Sequence, residues 1–261
     1  MPKHLPEHLL NGKSPSNGET ASKGLKVIRA ALPKYEVHEW RHAGAVLTTD
    51  FKKEWEDIRD VLTRFKLLKS QVIVGGGSKT EMANWIDHEL CKVKGWSERN
   101  FKTAIQIDEQ SLKSPTHKVD CFKNKVGLEI EWNNKDPFFD RDLNNFRLLF
   151  ELRALAVGII LTRSEDLTPL FRELTERGLK SKTAYGESTT HMSKLLPRLE
   201  GGAGGGCPVL VLGITTKLFT EDVTDEEGRE LLRKLEEAKK KKRQKKSLSF
   251  EEIGLLESAG E

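Results

Sequence analysis

The chain has 261 residues, of which 36% are apolar and 32% charged, enough for one substantial core but not for two full-sized domains. Its formal net charge of +4 suits a nucleic-acid partner without requiring one. The N-terminus lacks the apolar run of a signal peptide, and no stretch approaches the roughly 18 apolar residues of a membrane span, so a soluble cytoplasmic protein with no membrane partner is expected.

The three cysteines, Cys91, Cys121 and Cys207, are widely spaced and form no CxxC pair. That argues against both a disulfide framework and a structural zinc site, and for a reducing compartment.

Residues 1–24 are rich in Pro, Gly, Ser, Asn and Lys without periodicity and read as a flexible arm. YEVHEWRH, from Tyr35, suggests a short strand. Phe51, Trp55, Ile58, Leu62 and Phe65 then recur at helical spacing within residues 50–68. QVIV, residues 71–74, reads as a strand running into a glycine cluster. VIVGGGSKT fails as a phosphate-binding loop because Ser78 stands between Gly77 and Lys79; Ser78 with Glu81 better fits a capping box opening a helix over residues 79–94. FKTAIQID, 101–108, alternates as a strand.

Asp136-Pro137 has the form of a helix start, with Asp as N-cap and Pro at the first helical position, followed by an apolar stripe of Phe139, Leu143, Phe146 and Phe150. Residues 156–162 and 208–215 read as buried strands on either side of a helix over 165–177. The polar stretch 181–206 is too long for an ordinary connection, and long polar loops commonly bind something.

Residues 222–261 form a charged helical tail. KKKKRQKK carries seven basic residues in eight positions, yet ten basic side chains from Asp222 onward face eleven acidic ones, so a solvated, fraying helix competes with contact to a phosphate backbone. There is no internal repeat. The intervening residues 25–221 form the expected globular domain.

The chemistry concentrates in HKVDCFKNKVGLEIEWNNKD, residues 117–136. Period two sends Val126, Leu128, Ile130 and Trp132 to one face and Gly127, Glu129 and Glu131 to the other. With Lys123-Asn124 as a two-residue turn, Phe122 pairs with Lys125, and Asp120 falls opposite Gly127 and diagonal to Glu129. Gly127 would then leave room beside Asp120, and Lys125 would share the carboxylate face. A turn longer by one residue would reverse that parity.

Carboxylates gathered on one face repel unless a positive charge sits among them. Asp120, Glu129 and the carbonyl of Ile130 suit Mg²⁺, and Glu131 would orient or deprotonate a water. Alternating glutamates also mark the solvated face of many amphipathic strands, so spacing alone leaves both readings open.

The segment from Lys118 to Arg163, with GGGSKTE and KGWSERNF upstream and GGCPVLVLGI downstream, resembles the BglII-like type II restriction endonucleases (BglII/BstYI type, PD-(D/E)xK superfamily) over about three quarters of the chain. The resemblance implies an α/β restriction-endonuclease-like core, a mixed β-sheet flanked by helices on both faces, acting as a Mg²⁺-dependent homodimer on a short palindrome in double-stranded DNA. A companion DNA methyltransferase would belong to the same system. Asp120 matches the family's first metal-binding aspartate, Glu129 its glutamate, and Asn84 a supporting asparagine. Glu131 departs from the glutamine or lysine usual there, leaving base, water-orienter and second-metal ligand open.

Base readout needs donors and acceptors at the groove. Asn133, Asn134 and Lys135 leave the catalytic strand, and Ser188, Thr189, Thr190 and His191 lie in the long polar loop; these are the expected DNA contacts, although Asn133-Asn134 also suits a turn and His191 a helix start. A repair or junction-resolving nuclease and a catalytically inactive DNA-binding protein are the competing functions.

Overall fold

The computed structural model describes residues 21–75, 80–114, 116–180, 185–186 and 188–259. Most of the expected arm, Ser78 of the expected capping box and part of the 181–206 stretch lie outside them.

In chain order the elements are α1 (Lys23–Ala31), β1 (Tyr35–Trp40), α2 (Ala43–Asp50), α3 (Lys52–Arg64), β2 (Leu67–Leu68), α4 (Lys69–Val74) and α5 (Glu81–His88) with a π-helical turn, Glu89–Val93. Next come β3 (Ser97–Asn100), β4 (Thr103–Ile107), β5 (Gln110–Ser114), β6 (Lys118–Lys123), β7 (Val126–Glu131), α6 (Pro137–Glu151), β8 (Val157–Arg163) and α7 (Leu167–Glu176). α8 (Met192–Glu200), β9 (Val209–Ile214), β10 (Phe219–Thr220), α9 (Asp225–Arg243) and α10 (Phe250–Ser258) complete the described chain.

Six strands form one mixed sheet in the order β1-β9-β8-β7-β6-β3. β7, β8 and β9 run parallel, while β1, β6 and β3 pair antiparallel to their neighbours. Such central strands are covered on both faces, and every residue of β7, β8 and β9 is buried. Side-chain alternation divides the core. Val126, Leu128, Ile130, Val157, Ile159, Leu161, Leu210 and Leu212 face one apolar cluster with α1, α3, α4, α5 and α7. Ile160, Val209 and Val211 face a second cluster with Phe139, Leu143 and Phe146 of α6 and Leu195 and Leu199 of α8.

Several expectations change. Residues 71–74 are helical in α4, not a strand: Lys69, Gln71, Val72, Ile73 and Val74 are all buried, and a helix covered on every side loses the polar face that betrays its period. Lys23 and Gly24, expected in the arm, open α1, whose N-cap Ser22 accepts a hydrogen bond from the Leu25 N–H at 2.9 Å. Helix α5 begins after Thr80 as its N-cap residue.

Asp136 precedes α6 in helical conformation and makes no capping hydrogen bond, although Pro137 does occupy the first turn. The long polar stretch contains α8, whose apolar face of Met192, Leu195, Leu196 and Leu199 is buried; Pro197 within it disguises the helix. In the tail, α9 and α10 pack together and against α4, with Leu235, Ala238, Leu256 and Ala259 in the first core.

Candidate active site

The β6–β7 hairpin turns at Asn124-Lys125, with φ of +44° and +67°, not at Lys123-Asn124. Positive φ at both central residues is the type I′ signature, and Asn suits its first position. The register therefore pairs Lys123 with Val126, Phe122 with Gly127 and Cys121 with Leu128. This is a shift of two residues from expectation, so facing is preserved while partners change. Gly127 lies opposite Phe122, and a Cβ there would stand 2.8 Å from Leu155 and 3.2 Å from Val119; its missing side chain serves packing, not an ion. Lys125 is exposed in the turn.

Past Cys121–Leu128 the ladder gives way to reciprocal side-chain bonds. The Ile130 N–H donates to Asp120 Oδ2 at 3.1 Å, and the Asp120 N–H donates to Glu129 Oε2 at 3.3 Å. The Asp120 carboxylate is thereby held by the Ile130 backbone, and that of Glu129 by the Asp120 backbone, where β6 leaves β7. A cavity of about 320 Å³ opens there, lined by Ala83, Asp87, Glu98, Lys118, Asp120, Ile130 and Asn134.

Glu129 and Glu131 are each 1% exposed. Glu131 receives Asn134 Nδ2 at 2.8 Å and Arg141 Nη2 at 3.3 Å, and Arg141 also pairs with buried Asp142 at 2.8 Å. Burial first, then Asp142 and Asp120, holds the Glu129 carboxyl well above its ordinary range. Burial, then Asp142, pushes Glu131 up to about 9, and burial also raises Asp142. Glu129 Oε1 and Asp142 Oδ2 are buried without a hydrogen-bond partner among the described residues. Such a set, one guanidinium among several carboxyl groups, could hold a further cation.

Asn84 does not line the cavity; it is exposed on α5, whereas Ala83 and Asp87, one turn apart, face the opening. The two groups of expected DNA contacts are neighbours. Lys135 bridges Thr189, the Thr190 N–H donates to the Asn134 carbonyl at 2.8 Å, and the Asp136 N–H donates to the Ser188 carbonyl at 3.1 Å. Lys135 and Ser188 are exposed, Asn133 and Asn134 half-buried, and Thr190 is 0% exposed. Thr189 Oγ1 accepts from buried Arg163 at 2.6 Å, and His191 pairs with Glu165 and Ser193.

Sequence reasoning missed Asp87, Arg141, Asp142 and Arg163. Asp142 was detectable: it follows Phe139 by three residues and precedes Leu143, so a helical wheel turns it inward with the apolar stripe. Asp87 follows buried Ala83 by four and carried the same signal.

A mixed sheet clothed by helices, with a carboxylate-bearing hairpin at its opening, has the architecture of the restriction-endonuclease-like fold. The family model described as restriction endonuclease BglII/BglIII matches residues 35–214, and the chain belongs to that family. It is accordingly a restriction endonuclease, a hydrolase whose partner is DNA. Comparison with curated proteins finds no match. No helix among the described residues is long and apolar enough to cross a membrane.

Proposed function

We propose that this chain is a type II restriction endonuclease that hydrolyses both strands of double-stranded DNA at a short palindrome, with Mg²⁺ as cofactor and as a homodimer. The observation that carries the cofactor is the oxygen of Glu129 that has no hydrogen-bond partner among the described residues, in a side chain 1% exposed beside Asp120. Asp120, Glu129 and the Ile130 carbonyl would hold Mg²⁺, which supplies neutralising charge for the phosphate under attack.

The remaining work falls to the chain. Glu131, held by Asn134 and Arg141, orients the attacking water. Asn133, Asn134, Lys135 and Ser188 contact DNA at the cavity rim, while Thr189, Thr190 and His191 brace that rim from beneath. Asn84 acts through its helix as a supporting residue. A palindrome is cut symmetrically by two copies related by a twofold axis, and a companion methyltransferase would protect host DNA.

The test is digestion of plasmid and phage DNA with Mg²⁺. Discrete, reproducible fragments whose sequenced ends share a palindrome are expected, and chelator abolishes them. Asp120→Ala should lose cleavage and keep DNA binding; cleavage at the wild-type rate would sink the carboxylate assignment. A smear or structure-selective nicking would point instead to repair, and binding without cleavage to an inactive DNA-binding protein.

A further inference from the structure

Cys91 and Cys121, thirty residues apart in sequence, converge with Asp87 behind the cavity. Cys91 Sγ lies 3.4 Å from Asp87 Oδ1, Cys121 Sγ lies 3.7 Å from the same oxygen, and the two sulfurs are 3.5 Å apart. The π-helical turn Glu89–Val93 carries Cys91, and widened turns of this kind recur at functional sites. Cys121 sits on β6 beside Asp120 and is buried, while Cys91 and Asp87 are half-buried.

These separations can be compared with those around a tetrahedral zinc ion. Bonds of about 2.3 Å to sulfur and about 2.0–2.2 Å to oxygen put two sulfurs about 3.8 Å apart and sulfur about 3.5–3.7 Å from oxygen. The observed triangle is within a few tenths of an ångström of all three edges, so the side chains need little movement to receive the ion. A hard cation such as Mg²⁺ prefers an all-oxygen shell and does not compete for two thiolates.

We infer that Asp87, Cys91 and Cys121 form a second, thiophilic metal site of the zinc class, distinct from the carboxylate site at Glu129. Binding transfers the two thiol protons to solvent, leaving two thiolates and one carboxylate around the ion. Water from the cavity that Asp87 lines completes the shell. The ion ties α5 to the strand bearing Asp120 and so fixes one wall of the cavity.

The test uses the full chain, stripped with chelator, held reduced with a phosphine and titrated with Co²⁺ as a spectroscopic stand-in for zinc. One equivalent should give a thiolate-to-metal charge-transfer band, displaced by Zn²⁺ and untouched by excess Mg²⁺. Cys91→Ser and Cys121→Ser should each weaken Co²⁺ binding by about tenfold or more; if the buried Cys121→Ser variant does not fold, the half-buried Cys91→Ser carries the result. Asp120→Ala should retain the band, which separates this site from the proposed hydrolytic one. Absence of the band in wild type, its survival in Cys91→Ser, its loss in Asp120→Ala or its displacement by Mg²⁺ would each overturn the assignment.

Discussion

Arg141 is the single guanidinium among the carboxylates described at the site, with Glu131 at 3.3 Å and Asp142 at 2.8 Å. Arg141→Ala strands two buried acids, and about 3 kcal/mol of stability should be lost in chelator, measured by urea unfolding; the value sits low in the usual range because the guanidinium is 30% exposed. Glu165 behaves differently. Burial alone would raise its carboxyl, but hydrogen bonds from His191 and Ser193 override that and bring it down to about 2. A folded value below the unfolded one, roughly 4.3, contributes stability above that pH and loses it as pH falls through about 2. The stability advantage of wild type over Glu165→Gln should therefore shrink between pH 5 and 2; an advantage constant with pH would refute the pairing. Glu129 and Glu131 could be placed on one face because period two is a local property of one strand, whereas Asp120, on β6, needed the hairpin pairing as well. Arg163 was not, since its contacts with Thr189, Thr190 and Tyr185 lie more than twenty residues away in sequence.

At the scale of elements, the hairpin turn shows what sequence can and cannot fix. The face of each residue followed from alternation and survived a two-residue register shift, whereas the partners depended on which dipeptide turned. Lys125 occupies the second turn position at φ +67°, where a side chain costs about 1 kcal/mol. Lys125→Gly should stabilise the fold by about that amount in thermal or urea unfolding, and a loss of stability would contradict the turn assignment. Gly158 is the opposite case: a Cβ on this central strand would stand 2.3 Å from Phe146. Gly158→Ala should cost about 1–3 kcal/mol by overpacking. The strands β8 and β9 were readable as apolar runs, while α4 was hidden by the same feature, because an all-buried segment has no polar face to declare its period.

The whole molecule is held partly by its C-terminal helices. Lys69 is 0% exposed, and its ammonium meets Asp225 at 2.7 Å at the start of α9. Removing residues 222–261 uncovers α4 and leaves Lys69 without that partner, so the truncated chain should melt at lower temperature than the full one, and Asp225→Asn should move in the same direction. An unchanged melting temperature on truncation would show the helices to be dispensable. The charge pattern of this region reads as solvated because its apolar contribution, Leu235, Ala238 and Leu256, is thinly spread among lysines and glutamates.

The pairing of β1 with β9 joins Tyr35 to Ile214 and Trp40 to Val209, across most of the chain. Closure of so long a loop must precede any reward from the contact, which slows folding. During synthesis β1 emerges early but has no partner until the last parallel strand is made, whereas the β6–β7 hairpin can close at once. The carboxylate-bearing hairpin can thus form long before the sheet is whole, and refolding should show an early local phase followed by a slower one in which β1 docks.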